Sequence, residues 1–260
     1  LNKLTSSPIA QGRTAEIYQW NDHQVLKLFR DWCPSDWVDY EARIAQAVFD
    51  AGLPSPAPSE IIDINGRRGL IYERLEGISM LQDMNARPWM LFKHARSLAE
   101  AQVQIHQKSI AGLSTYKECL NNDIRNASHV SEDWRIKISS MLEALPEGQN
   151  LCHSDYHAGN VILTERGPVI IDWMTACAGR PWADVARSSL ILGIAAKAAS
   201  RQVRPIVRLA VGLYLYSYLD RYRRMLPDPG NELGQWRPVI AAARLNEDIV
   251  PEREALIKIV

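Results

Sequence analysis

Asp155, Asn160 and Asp172 stand close together in a chain of 260 residues. The first two lie in the run His153-Ser154-Asp155-Tyr156-His157-Ala158-Gly159-Asn160, and the third in Val169-Ile170-Ile171-Asp172-Trp173. Residues 160–163 and 169–172 read as a short hairpin around Thr164-Glu165-Arg166-Gly167-Pro168. A turn centred on Arg166 pairs Leu163 with Val169 and Asn160 with Asp172. Directly opposed residues have Cβ atoms ~4.5–5.5 Å apart, so an amide oxygen and a carboxylate would meet one divalent cation. Hard oxygen ligands of this kind suit Mg²⁺, which also takes phosphate oxygens from a substrate. Asp155 lies on the loop entering the hairpin. There it can accept a proton from a hydroxyl attacking a phosphoryl group, a role worth roughly 10²–10⁴ in rate. Turn chemistry is the plainer account of D-x₄-N and of Asp172; the matched hairpin and the second aspartate favour the metal.

Lys27 and Glu41 form a second candidate pair. Lys27 sits in the apolar strand pattern Gln24–Phe29, on the same face as Val25 and Phe29. On an edge strand it would snorkel to water. Glu41 falls within a helical stripe of Trp37, Ile44, Ala45 and Val48. A buried carboxylate needs a cation, and Lys27 is the nearest candidate. Protein-kinase-like folds hold a lysine against nucleotide phosphates with such a strand-lysine and helix-glutamate pair.

Short strands and one helix must position these groups. Residues 36–51 read as a helix with Ser35 as N-cap and Gly52 at the stop. The proline-rich stretch 53–58 is an extended connector. Strands at 60–64 and 69–73 flank Asn65-Gly66, a type I′ hairpin signal. From Leu91 the period becomes helical, through about Gln107. Later apolar runs at 188–199 and 206–222 read as further helices. The layout is two lobes: a small sheet-rich lobe over residues 1–75 and a larger helical lobe over 76–260. Clefts between such lobes are common ligand sites.

Composition narrows the class. With 47% apolar and 23% charged residues the chain is globular and not disordered. Thirty basic residues balance thirty acidic ones, which leaves no electrostatic footprint for nucleic acid. The apolar stretches at 190–196 and 209–219 fall short of the ~20 residues of a membrane span. No secretory core is present at either end, so a cytoplasmic location is expected. Four widely spaced cysteines read as reduced thiols. Oligomeric state is not legible.

The chain resembles the aminoglycoside phosphotransferase and choline kinase family of small-molecule kinases. The family pattern H-G-D-x-H-x-x-N is matched by 153–160, with Ser154 in place of glycine. Ile171-Asp172-Trp173 follows. Then Ala176, Gly179, Pro181, Asp184 and Ala186 fill A-x-x-G-x-P-x-x-D-x-A. Weaker matches reach upstream to residues 12–18, Lys27, Glu41 and the hinge Tyr72-Glu73-Arg74-Leu75-Glu76-Gly77. The resemblance covers about 12–187. It implies an α+β, protein-kinase-like bilobal fold, with a small antiparallel-sheet N-lobe for nucleotide and a larger mainly helical C-lobe for catalysis and substrate. It further implies an ATP- and Mg²⁺-dependent phosphotransferase acting on a hydroxyl of a small molecule. Asp155 would be the catalytic base, Asn160 and Asp172 the metal ligands, and Lys27 the contact to the ATP phosphates, positioned by Glu41. Backbone groups of Glu73 and Leu75 would bind adenine, and the 12–18 loop would cover the phosphates.

Other residues receive structural readings. His153 hydrogen-bonds within its loop, Asp184 and Arg187 lock that loop, and His106 contacts it. The tryptophans are mainly core, with Trp173 a candidate for the acceptor pocket. Tyr214, Tyr216, Tyr218 and Tyr222 do not share one helical face. From residue 201 onward ten basic residues outnumber seven acidic ones, which disfavours a polycationic acceptor. Two alternatives stand beside the kinase: a nucleotide-binding pseudokinase acting as an interaction module, and a metal-dependent hydrolase built on Cys152, His153 and His157.

Overall fold

The computed structural model of the chain describes residues 7–127, 130–199 and 205–260. In chain order the elements are β1 Ala10–Gln11, β2 Ala15–Gln19, β3 Gln24–Phe29, α1 Ser35–Asp50, β4 Pro58–Ile64, β5 Arg67–Glu73, β6 Ile78–Ser79, α2 Met80–Ala86, α3 Leu91–His106, α4 Tyr116–Asn126 and α5 Glu132–Ala144. They continue with β7 Asn150–Cys152, β8 Val161–Thr164, β9 Gly167–Ile170, β10 Cys177–Gly179, α6 Pro181–Ala199, α7 Pro205–Met225, α8 Glu232–Arg244 and α9 Val250–Ile257. Contacts divide the chain into two units. One is Leu1–Ser79 with Asn160–Met174; the other is Met80–Gly159 with Thr175–Val260. The hairpin β8–β9 joins the first unit because β6 pairs with β8, Ile78 opposite Leu163 and Ser79 opposite Ile162.

The first unit is built on an antiparallel sheet in the order β1-β2-β3-β5-β4. Alternation along β3 divides its side chains between two faces. Leu26 and Leu28 pack with Tyr18, Ile64 and Ile71 on one face. Phe29 packs with Ala15, Leu70, Tyr72 and the α1 residues Val38 and Ala45 on the other. Burying side chains of this size stabilises by ~1.5–3 kcal/mol each. The turn at Asn65-Gly66 has φ of 53° and 81°, as a type I′ hairpin requires.

Helix α1 buries Val38, Glu41, Ile44, Ala45 and Val48. Trp37, expected on this stripe, is displaced to the surface by Val38 and packs edge-on against Trp32. Pro34, not Ser35, is the N-cap and makes no side-chain bond. The helix ends in a Schellman motif at Gly52, φ 73°. The Gly52 amide donates to the Phe49 carbonyl at 2.9 Å, and the Leu53 amide to the Val48 carbonyl at 3.3 Å.

The second unit is mainly helical, with the two-stranded pair β7–β10 that sets Cys152 opposite Cys177. Helix α6 begins at Pro181, seven residues before the apolar run that announced it, because proline suits a first helical turn. Three of the four tyrosines of α7, namely Tyr214, Tyr218 and Tyr222, recur every fourth residue and are buried together, while Tyr216 is exposed. The tryptophans are not mainly core: Trp173, Trp182 and Trp236 are buried, whereas Trp32, Trp37, Trp89 and Trp134 are exposed. All four cysteines are free thiols.

Candidate active site

The first unit places Lys27, Glu41 and Asp172 in one cluster. The Lys27 ammonium donates to Glu41 Oε1 at 2.7 Å and Oε2 at 2.9 Å, and to Asp172 Oδ1 at 2.7 Å. The Tyr72 hydroxyl donates to Glu41 Oε1 at 2.8 Å. Burial opposes the charge on Lys27, but Asp172 and Glu41 outweigh it and hold the ammonium well above its ordinary range. Burial raises the Glu41 carboxyl, with Lys27 pulling the other way. Burial and the Glu41 charge push Tyr72 far up, so it remains a phenol donor. From sequence Tyr72 is named only within the hinge match, with no role toward Glu41. Its place opposite Val25 in the β3–β5 register carries the signal.

The hairpin register differs by one residue from the sequence expectation. Leu163 opposes Pro168, Ile162 opposes Val169 and Val161 opposes Ile170. The turn closes over two residues, Glu165 and Arg166, because Gly167 takes a φ of 105°. Asn160 therefore meets Ile171, whose amide donates to the Asn160 carbonyl at 3.0 Å. A one-residue slip in a continuing strand would turn Asp172 to the other face. Asp172 instead leaves the strand at φ 67°, and its carboxylate, 40% exposed, reaches Lys27. Asn160 and Asp172 thus share one end of the hairpin, but not as a directly opposed pair.

In the second unit Asp155 lies on a loop organised by buried Asp184. The Ser154 and His153 amides donate to Asp184 Oδ1 at 2.8 Å and Oδ2 at 3.2 Å. His106 Nε2 and Gln102 Nε2 stand 3.0 Å and 3.1 Å from Oδ2. Burial raises the Asp184 carboxyl, yet the hydrogen bond and charge of His106 override it and leave it lowered. His106 Nδ1 is 2.6 Å from the Tyr222 hydroxyl, which ties α7 to the same group. The Asp155 amide donates to His153 Nδ1 at 3.3 Å. Ser154 takes a φ of 63°, a left-handed backbone that suits glycine. Burial would raise the Asp155 carboxyl, but His157, Arg187 and His153 hold it well below the usual carboxylate range. Asp184, His106 and His153 therefore act on the loop as expected, while Gln102 and Tyr222 lacked any local pattern.

The hinge residues are placed more plainly. The Glu73 amide donates to the Ala57 carbonyl at 2.9 Å, and its carboxylate accepts from Arg166 at 2.8 Å. Leu75 is half-buried just beyond β5. Residues 12–14 form the β1–β2 turn, whose Arg13 and Gly12 carbonyls accept from Arg30, each at 3.1 Å. Trp173 is buried, with its indole N–H on the Ile170 carbonyl at 3.1 Å. Buried Cys152 lies 3.6 Å from the carbonyls of Asn150 and Arg180. Among the described residues no three His, Cys, Asp or Glu side chains gather as a metal site.

Residues 5–223 match the sequence model of a family described as phosphotransferase enzymes, APH. The chain belongs to this phosphotransferase family. The match runs past residue 187, where the recognisable motifs stop, and takes in most of α7. No curated protein matches by sequence. Among solved structures, the chain is similar to a thermostable mutant of aminoglycoside phosphotransferase APH(4)-Ia in ternary complex with AMP-PNP and hygromycin B. The TM-score is 0.65 at 16% identity, covering 97% of this chain and 90% of that one. Amicoumacin kinase hAmiN, in complex with AMP-PNP, Ca²⁺ and Ami, gives a TM-score of 0.67 at 13% identity, covering 97% and 86%. Choline kinase from Cryptosporidium parvum Iowa II gives 0.56 at 12% identity, covering 97% and 86%. The fold of this phosphotransferase-family chain is accordingly α+β and protein-kinase-like.

Proposed function

We propose that this chain transfers the γ-phosphoryl group of ATP to a hydroxyl of a small molecule, with Mg²⁺ as its metal. The observation that carries the reading is the Lys27 ammonium, held by both oxygens of Glu41 and set against Asp172. A charged lysine with its stem buried and a fixed counter-ion is a rigid donor for phosphate oxygens. Residues 1–75 would supply the nucleotide site and 76–260 the base and acceptor site.

Each proposed residue has a separable task. Lys27 would bind the α and β phosphates, with Glu41 and Tyr72 fixing its position. The Glu73 amide is already engaged, so adenine would be met by the Glu73 carbonyl and the backbone of Leu75. Asn160 and Asp172 offer an amide oxygen and a carboxylate, a donor set that fits a hard divalent cation. When bound, Mg²⁺ would neutralise charge on the phosphate oxygens. Asp155, held ionised, would take the proton of the acceptor hydroxyl as that oxygen bonds to phosphorus. Most of the rate would come from positioning and charge complementarity.

The acceptor is proposed to be a neutral or weakly charged alcohol. Three glutamates toward the C-terminus are engaged by bases: Glu232 with Arg180, Glu247 with Arg187 and Arg244, and Glu252 with Arg244. Carboxylates committed in this way offer little to a polycation.

Asp155→Asn tests the reading. It should abolish phosphoryl transfer in a labelled-ATP screen of alcohols, amino alcohols, sugars and aminoglycosides, while calorimetry shows Mg-ATP binding preserved. Equal turnover in the variant removes Asp155 from the mechanism. Mg-ATP binding with no transfer to any acceptor, and no slow hydrolysis, would favour the pseudokinase.

A further inference from the structure

We infer that His157 is a positioning residue for the Asp155 carboxylate, which it holds through its Nε2–H; the assignment rests on Asp155 being the base. The Gly159 amide donates to His157 Nδ1 at 3.0 Å. A ring nitrogen that accepts carries no proton, so the neutral imidazole keeps its hydrogen on Nε2. That nitrogen lies 3.7 Å from Asp155 Oδ2. The separation exceeds a hydrogen bond, and catalytic contacts of this kind tighten when the reacting complex forms. Gly159 makes the arrangement possible. A Cβ there would lie 2.8 Å from His157 Cε1 and 2.9 Å from Nδ1, so any side chain would push the ring away.

The tautomer decides what His157 can do. With Nε2 already protonated, the imidazole cannot take a proton from Asp155 and is no relay. In the transfer, the hydroxyl proton passes to Asp155 and the alcohol oxygen's electron pair forms the new O–P bond. The bridging P–O bond breaks, and its electrons leave with the nucleoside diphosphate. His157 makes and breaks no covalent bond. It orients the carboxylate and favours its ionised form, alongside Arg187 from α6 and His153 from the same loop.

Nuclear magnetic resonance on the full chain tests this without any acceptor. In the native protein at neutral pH, the ¹⁵N shifts of His157 should report the Nε2–H tautomer. A ring protonated on Nδ1, or on both nitrogens, overturns the inference whether or not variants fold. Following the Asp155 side-chain carbon, His157→Phe should move its protonation up by about one pH unit. His157→Gln, which returns an N–H near the Nε2 position, should titrate like the native chain. An unmoved Asp155 in the Phe variant, or a Gln variant that behaves like Phe, also overturns it. Turnover by Asp155→Asn would instead remove the base reading and leave these resonance outcomes to be judged separately.

Discussion

Lys27 Nζ stands 2.7 Å from Asp172 Oδ1, although 145 residues separate the two in sequence. The ammonium thus bridges a buried helix carboxylate and a hairpin carboxylate that is partly exposed. One residue consequently anchors both the proposed phosphate contact and the proposed metal ligand.

Removing that ammonium should cost stability as well as nucleotide binding. Lys27→Met leaves Glu41 buried without a cation, a defect worth about 3–5 kcal/mol. Adding Glu41→Gln should restore part of the loss but none of the nucleotide affinity. Urea unfolding and calorimetry with ATP measure the two effects separately.

Asp172 is tested by substitutions that treat its backbone differently. Asparagine tolerates a positive φ, so Asp172→Asn should fold and bind ATP normally without magnesium. In magnesium its affinity should fall about tenfold or more below native, as expected for a lost charge-assisted contact. Asp172→Val should lose stability as well, because a β-branched residue resists that backbone. Normal magnesium dependence in the Asn variant would exclude Asp172 as a metal ligand.

The depressed carboxyl of Asp184 gives a pH dependence with a definite sign. As pH falls below about 4, the unfolded chain takes up the Asp184 proton first, which draws the equilibrium toward unfolding. Its contribution is therefore complete above that range and lost toward the lower folded-state value. Asp184→Asn should be about 3 kcal/mol less stable at neutral pH, because the negative charge is lost and one of the two oxygens that accept from the loop amides becomes an NH₂ donor. Its melting temperature should also decline less steeply than the native one below pH 4. An unchanged acid slope would show that Asp184 is not the group responsible.

Gly77 is required by a close backbone approach. A Cβ there would come within 2.2 Å of the Leu163 carbonyl oxygen, where neither strand can yield without breaking the β6–β8 pairing. Gly77→Ala should destabilise the chain by about 1–3 kcal/mol and weaken Mg-ATP binding through the hairpin that carries Asp172. Native binding by a destabilised variant would separate the two effects.

Much was legible in sequence because local chemistry decides it. Asn65-Gly66 dictated its turn and Gly52 its helix stop, whereas the alternation of residues 24–29 left Lys27 open between burial and an edge-strand position. A carboxylate within the α1 stripe called for a cation, and Lys27 supplied it. The 153–160 run identified the loop, the A-x-x-G-x-P-x-x-D-x-A match supplied Asp184, and a place near a helix end supplied His106.

The remaining features depended on backbone torsions and on distant packing. The positive φ values of Gly167 and Asp172 shifted the hairpin by one residue and then turned the carboxylate back toward Lys27. No pairwise rule of opposed residues contains that bend. Tyr72 reaches Glu41 within the first unit, and Gln102 and Tyr222 reach the Asp184–His106 group within the second, through pairing and packing between remote segments that no local spacing marks. The proton on His157 is decided by one amide two residues away. Residue order alone specifies which groups are available; the folded chain decides which nitrogen faces the acid.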